Sequence, residues 1–145
     1  SDTRDAYQGY KHSHASIMRN IMEDARSPKQ LVQVGIRDFS EQEFEYTQRP
    51  GIHTFYDRDL KRRLAQGNSW HQVGAEILKK IPTQKVYISF DIDGLNPTLC
   101  PNTGTPVPGG LEYDQVVELL YLLSSAKKKI VGFDLNEVAP TSPEE

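Results

Sequence analysis

Cysteine is nearly missing: of 145 residues only Cys100 carries a thiol, so no disulfide can close within the chain. A lone cysteine suits a reducing, cytoplasmic setting. A basic excess is missing too, since the formal charge is −3, and that argues against a nucleic-acid surface. No apolar run approaches the roughly 20 residues that span a bilayer, and no signal-peptide pattern opens the chain. No Gly-Lys-Ser/Thr occurs, so a phosphate-binding loop of that type is excluded. A phosphate- or nucleotide-binding module therefore has no loop to support it. What remains is an ordinary balance of 37% hydrophobic and 26% charged residues, enough for a single domain with a real core.

The two ends are abrupt. Ser1-Asp2-Thr3-Arg4-Asp5 has no methionine, and Thr141-Ser142-Pro143-Glu144-Glu145 reads as a loop or helix start rather than a tail. Both features predict a piece of a longer protein.

Periodicity and punctuation alternate along the chain. Residues 1–12 read as a loop. A helix is expected over 14–25, capped by Ser13, with Ile17, Met18, Ile21 and Met22 as an apolar stripe that stops at Ser27-Pro28. The apolar run 31–36 has the composition of a buried parallel strand. Ser40-Glu41-Gln42-Glu43 is a capping box, in which serine and glutamate satisfy helix-end amides reciprocally, and its helix must stop before Pro50. A strand over 52–56, a basic helix over 57–66 and a Ser69-capped helix over 70–80 follow. Residues 85–90 form the clearest strand, a loop rich in proline and glycine fills 94–110, an amphipathic core helix covers 111–125, and 130–135 is a final strand. This order predicts an α/β protein: a three-layer α/β/α architecture with a mostly parallel sheet and helices on both faces.

Chemistry concentrates at Ser89-Phe90-Asp91-Ile92-Asp93-Gly94. Residues two apart in a strand point to one side, so Asp91 and Asp93 project together. They fall where a strand stops, and the carboxyl ends of strands are where open α/β sheets bind ligands. Paired carboxylates repel unless a proton or cation intervenes, and hard oxygen donors suit Mg²⁺, Mn²⁺ or Ca²⁺. The alternative is that both aspartates merely cap the following loop. That loop is stiffened by prolines, with Gly104, Gly109 and Gly110 permitting turns, a combination that pre-organises a site.

The stretch 89–111, an Asp-x-Asp followed by Gly104-Thr105-Pro106-Val107-Pro108-Gly109-Gly110, resembles the signature of the ureohydrolases, the arginase/agmatinase family. Phe133-Asp134-Leu135-Asn136-Glu137-Val138-Ala139-Pro140 resembles that family's second C-terminal motif, and its Glu-Val-Ala-Pro ending is most like agmatinases. Asp2 is similar to the last aspartate of an Asp-Ala-His-x-Asp motif, and Ser13-His14 to the Ser-His that follows it. The resemblance implies the C-terminal portion of an arginase-like fold, partial as it stands. It implies two Mn²⁺ ions that generate a nucleophilic hydroxide for attack on a small guanidino substrate, releasing urea. Asp2, Asp91 and Asp93 would be metal ligands, with Asp2 also passing a proton to the leaving amine. Glu137 would pair with the guanidinium, His14 would shuttle protons, and Asp38 would face the far end of the substrate. A homo-oligomer, trimer or hexamer, is also implied.

His12, His53 and His71 read as surface or packing histidines. Asn96 stands where the family commonly has an aspartate that is not a ligand. Three donors of the family pattern have no counterpart in these residues: the histidine of a Gly-Gly-Asp-His segment, and the first aspartate and histidine of Asp-Ala-His-x-Asp. Agmatinase chemistry leads, and arginase, guanidinobutyrase and formimidoylglutamase are the alternatives within the family. A non-catalytic chain that keeps only the fold is the reading from another class.

Overall fold

The computed structural model describes residues 1–27 and 29–139. Pro28, the expected helix break, Pro140, the end of the second motif, and the expected loop or helix start at 141–145 lie outside the described residues.

Four strands alternate with five helices among those residues: α1 (Ile17–Glu23), β1 (Leu31–Ile36), α2 (Glu41–Thr47), β2 (Ile52–Tyr56), α3 (Asp57–Ala65), α4 (Trp70–Lys79), β3 (Lys85–Asp91), α5 (Tyr113–Ser125) and β4 (Lys129–Asn136). Local signals explain most of these limits. Ser40 Oγ accepts from the Glu43 amide while Glu43 returns a carboxylate oxygen to the Ser40 amide, closing the expected box at the start of α2. Ser69 and Gln72 do the same for α4. Glycine at 67 follows α3, where a left-handed residue ends the helix.

Strands β1 and β2 run parallel, with Leu31 opposite Ile52, and β3 and β4 run parallel from Lys85 and Lys129 to Asp91 and Asn136. Parallel neighbours need a crossover, which α2 and α5 supply. The α/β class with parallel strands is thus borne out. A single continuous sheet is not seen: among the described residues there are two parallel pairs, and no ladder joins them. Each pair is joined only to itself because β1 and β3 have a backbone partner on one side alone.

The core lies where α3 packs on β1 and β2, where α4 packs on α3 and α5, and where the ends of the proline loop tuck in. Leu60, Val73, Ile77, Leu95 and Leu111 are buried there, packed by Val34, Phe55, Trp70 and Phe90. Trp70 also donates from its indole to the Gln115 carbonyl at 2.8 Å, fastening α4 to α5.

Two expectations need correction. The first helix, expected over 14–25, opens with a 3-10 turn, His14–Ser16, and ends at Glu23, and Ile17 and Ile21 of its apolar stripe are exposed. Helix α5 is apolar on more than one face. Leu122 is buried, but Val117, Leu120 and Tyr121 are open, so the stripe is only partly core. A periodic pattern shows that a face is apolar and leaves unsaid what covers it.

Candidate functional site

The carboxyl ends of β1, β3 and β4 meet. Asp91 is the last residue of β3, and Asp93 sits in the 3-10 turn Ile92–Gly94 that follows. Strand alternation therefore does not set their relation, as the sequence suggested; the turn does. Burial raises the Asp91 carboxyl above its usual range, and the nearby charges of Asp93 and Glu137 raise it further, while an Asn136 hydrogen bond works against them. Glu137 follows β4 directly, with a positive φ of 64°. Asp2 has a φ of 56°. Its carboxyl is pushed up to about 6, first by burial and then by Asp91, Glu137 and Asp93, against a partial offset from the Ser1 ammonium. The two non-glycine residues flanking this charge cluster thus both hold the left-handed backbone, which side chains disfavour.

Four acidic side chains, Asp2, Asp91, Asp93 and Glu137, therefore share one electrostatic neighbourhood. Neither His14 nor Asp38 is among the charges that act on Asp2 or Asp91. His14 is exposed on its 3-10 turn, and its ring meets Tyr7 edge-on at 5.2 Å. Asp38 is exposed beyond β1, and its main-chain carbonyl accepts from the Ser1 amino group at 3.4 Å.

Several residues build the frame, and Arg37 among them is one the sequence did not single out. Arg37, one position beyond β1, donates from Nη2 to the carbonyls of Asp93 (2.6 Å), Val107 (3.0 Å) and Leu95 (3.2 Å), and from Nε to Val107 (3.1 Å). One side chain thus ties β1 to the turn bearing Asp93 and to the far limb of the proline loop. The loop closes on itself through a bridge between Leu95 and Leu111. Gly110 makes that closure possible: its φ is 97°, and a Cβ there would lie 2.5 Å from the Leu95 carbonyl oxygen. Gly104 has no such duty, with no positive φ and open space around it. Asn96 orders the loop entrance, donating to Glu112 at 2.9 Å and accepting from the Thr98 amide at 3.1 Å. An aspartate could not make the first of these bonds.

The segment carrying Asp2 is held with equal care. Glu43, 3% exposed, accepts on Oε1 from Ser1 Oγ at 2.6 Å and the Thr3 amide at 3.3 Å. Its carboxyl lies below the usual range. Burial pushes it up, and the hydrogen bonds from Ser1 and Ser40 outweigh that push. Gln33, on β1, donates to the Ser1 carbonyl at 2.7 Å. A buried glutamine in an otherwise apolar strand was the one signal that could have flagged it.

Among the described residues no group of three or more His, Cys, Asp or Glu side chains is placed to hold a metal ion. The donor chemistry still fits a hard divalent cation: crowded carboxylates hold protons abnormally tightly, and a cation would relieve that crowding. The cluster is acidic and half-buried. Of the expected surface histidines, His71 is 65% exposed and pairs with Glu118 at 2.6 Å.

Known proteins resemble this chain along nearly its whole length. A family model described as the Arginase family matches residues 1–145. The N(1)-aminopropylagmatine ureohydrolase of Thermus thermophilus is 35% identical over 140 residues, covering 97% of this chain and 44% of the relative. The agmatinase of Pyrococcus horikoshii is 33% identical over 138 residues, covering 95% and 44%. Among solved structures, the proclavaminate amidino hydrolase of Streptomyces clavuligerus superposes with a TM-score of 0.77 at 30% identity, over 97% of this chain and 44% of that one. The chain spans less than half the length of the curated relatives it matches.

Proposed function

The chain belongs to the arginase family, and from that premise we propose that its protein hydrolyses a guanidino group to urea, with agmatine cleaved to putrescine and urea as the favoured reaction. One observation carries this reading: the charges of Asp91, Asp93 and Glu137 act on Asp2, and those of Asp93 and Glu137 act on Asp91. A guanidinium is planar, delocalised and permanently charged. Its recognition calls for a carboxylate acceptor, and its hydrolysis calls for a strong nucleophile beside that acceptor.

Asp2, Asp91 and Asp93 would hold the metal, two Mn²⁺ in the complete enzyme. Such ions, when bound, supply Lewis acidity and a nucleophile at neutral pH. Glu137 orients the guanidinium. Asp2 passes a proton to the leaving amine, which cannot depart as an anion. His14 exchanges protons with solvent from its exposed turn, a task suited to imidazole. Asp38 lies exposed beyond β1, where a carboxylate would favour an amine tail over a carboxylate tail. That preference, with relatives named agmatinase and N(1)-aminopropylagmatine ureohydrolase, supports agmatine over arginine or guanidinobutyrate. The resemblance and the single cysteine support a cytoplasmic homo-oligomer, trimer or hexamer.

A non-catalytic chain that keeps only the fold is the second reading, favoured because no group of three or more such side chains among the described residues is placed to hold a metal ion. A urea-release assay on the full-length protein with Mn²⁺, against agmatine, arginine and guanidinobutyrate, separates the two. Urea is expected from agmatine foremost. Urea from none of the three would overturn the first reading.

A further inference from the structure

Asp2 is held in a conformation it would not keep unaided. Its φ of 56° lies in the left-handed region, where an L side chain crowds its own backbone. Bonds to both neighbours and to its own carbonyl impose it. The Asp2 carbonyl accepts from the Met18 and Arg19 amides at 3.0 and 3.3 Å, at the start of α1. Gln33 holds the Ser1 carbonyl, and Thr54 Oγ1 in turn donates to Gln33 Oε1 at 3.1 Å. On the remaining side, Glu43 Oε1 takes the Ser1 hydroxyl and the Thr3 amide together. One carboxylate oxygen thus spans the residues on either side of Asp2.

We propose that Glu43 is a positioning residue for Asp2, fixing the left-handed backbone that aims the Asp2 carboxylate into the acidic cluster. This rests on the metal-binding role proposed for Asp2. A capping role alone would need only one oxygen. Oε2 performs it, accepting from the Ser40 amide and hydroxyl at 2.9 and 3.1 Å, with Arg4 Nε 3.4 Å away. Oε1 faces the Asp2 segment instead. The amides of Thr3 and Ser40 and the Arg4 guanidinium can only donate, so both oxygens must accept. Glutamine would turn an NH₂ toward one amide or the other. Glu43 is buried and Thr3 is fully buried, so water cannot repair the loss.

Three variants of the full-length protein test this: Glu43→Gln, Ser40→Ala and Ser1→Ala. Ser40→Ala removes the cap hydroxyl and leaves Oε1 and its partners in place. Ser1→Ala removes one Oε1 bond and leaves the cap intact, so it reads the positioning role even if Glu43→Gln fails to fold. The measurements are Mn²⁺ affinity by chelator competition, hydrogen exchange at the Thr3 amide in metal-free protein, and melting temperature. Glu43→Gln should weaken Mn²⁺ binding about tenfold or more, as loss of a residue supporting a ligand does, and speed Thr3 exchange. Ser1→Ala should shift both in the same direction by less. Ser40→Ala should lower the melting temperature and leave Mn²⁺ affinity unchanged. If Glu43→Gln and Ser1→Ala leave Mn²⁺ affinity and Thr3 exchange at wild-type values, the positioning role is overturned. Should wild-type protein bind no Mn²⁺ and release no urea, the proposed function fails. Glu43 is then judged on Thr3 exchange alone, where acceleration supports the proposal and no change overturns it.

Discussion

The Arg37 guanidinium donates to the main-chain carbonyl of Asp93 at 2.6 Å, across 56 residues of sequence. The same fork reaches Val107 and Leu95, so three carbonyls lose their donor if it is removed. Arg37→Ala should destabilise the fold by roughly 2–4 kcal/mol, since hydrogen bonds to charged groups are worth more than neutral ones and the orphaned carbonyls are part-buried. Lysine, a point charge without the fork, should recover less than half of that. Urea denaturation of each variant measures it, and a change under about 0.5 kcal/mol would remove Arg37 from its place in the frame.

Two glycines of one loop should behave oppositely. Gly110→Ala forces a Cβ to within 2.5 Å of the Leu95 carbonyl oxygen at a φ of 97°, and a loss of about 2 kcal/mol or more is expected. Gly104→Ala meets open space and should stay within about 0.5 kcal/mol of wild type. Equal losses in chemical denaturation would contradict this account of the loop.

Acidity should separate metal-free from metal-loaded protein. The carboxyl of Asp2 is raised from 3.8 to about 6, and that of Asp91 is raised as well. The folded state therefore binds these protons more tightly than the unfolded one. Their stabilising contribution is complete below 3.8 and is lost as the pH rises through about 6. A bound divalent cation replaces the proton, so adding Mn²⁺ should raise the melting temperature more near neutrality than near about pH 5. Equal gains at both pH values in a thermal-shift series would sink the electrostatic account of the cluster.

The proposed metal ligands of residues 1–145 are Asp2, Asp91 and Asp93 alone, and no group of three or more such side chains among the described residues is placed to hold an ion. The isolated polypeptide should bind Mn²⁺ weakly and release no urea. Calorimetry would refute this by showing a tight complex with two ions.

Much of the fold is legible in the chain because its causes are local. The Ser40–Glu43 and Ser69–Gln72 boxes act over three residues, and the apolar runs at β1 and β3 carry their own period. Legibility fails where a pattern has two meanings. The stripe on α5 reads as core, yet Val117 and Leu120 are open. Asp91 and Asp93 read as neighbours on a strand, yet the second belongs to a turn. The acidic cluster itself was visible through motif resemblance at Asp2, Asp91, Asp93 and Glu137. Of the residues that support it, Arg37 and Gln33 carry no motif, and the capping box at Glu43 tells only of the helix it starts.

Sequence alone determined the α/β character, the helix starts and the loop stiffened by proline, since each depends on groups within a turn or so of one another. It also marked the acidic residues, because their types and order are specific. Only the tertiary structure decided that Glu43, a local cap, also grips Ser1 from 42 positions away. The same holds for Arg37 and the turn at Asp93, and for the left-handed backbone of Asp2 and Glu137. Such contacts join segments with no local preference for each other; packing brings them within hydrogen-bond reach, and no backbone propensity encodes that meeting.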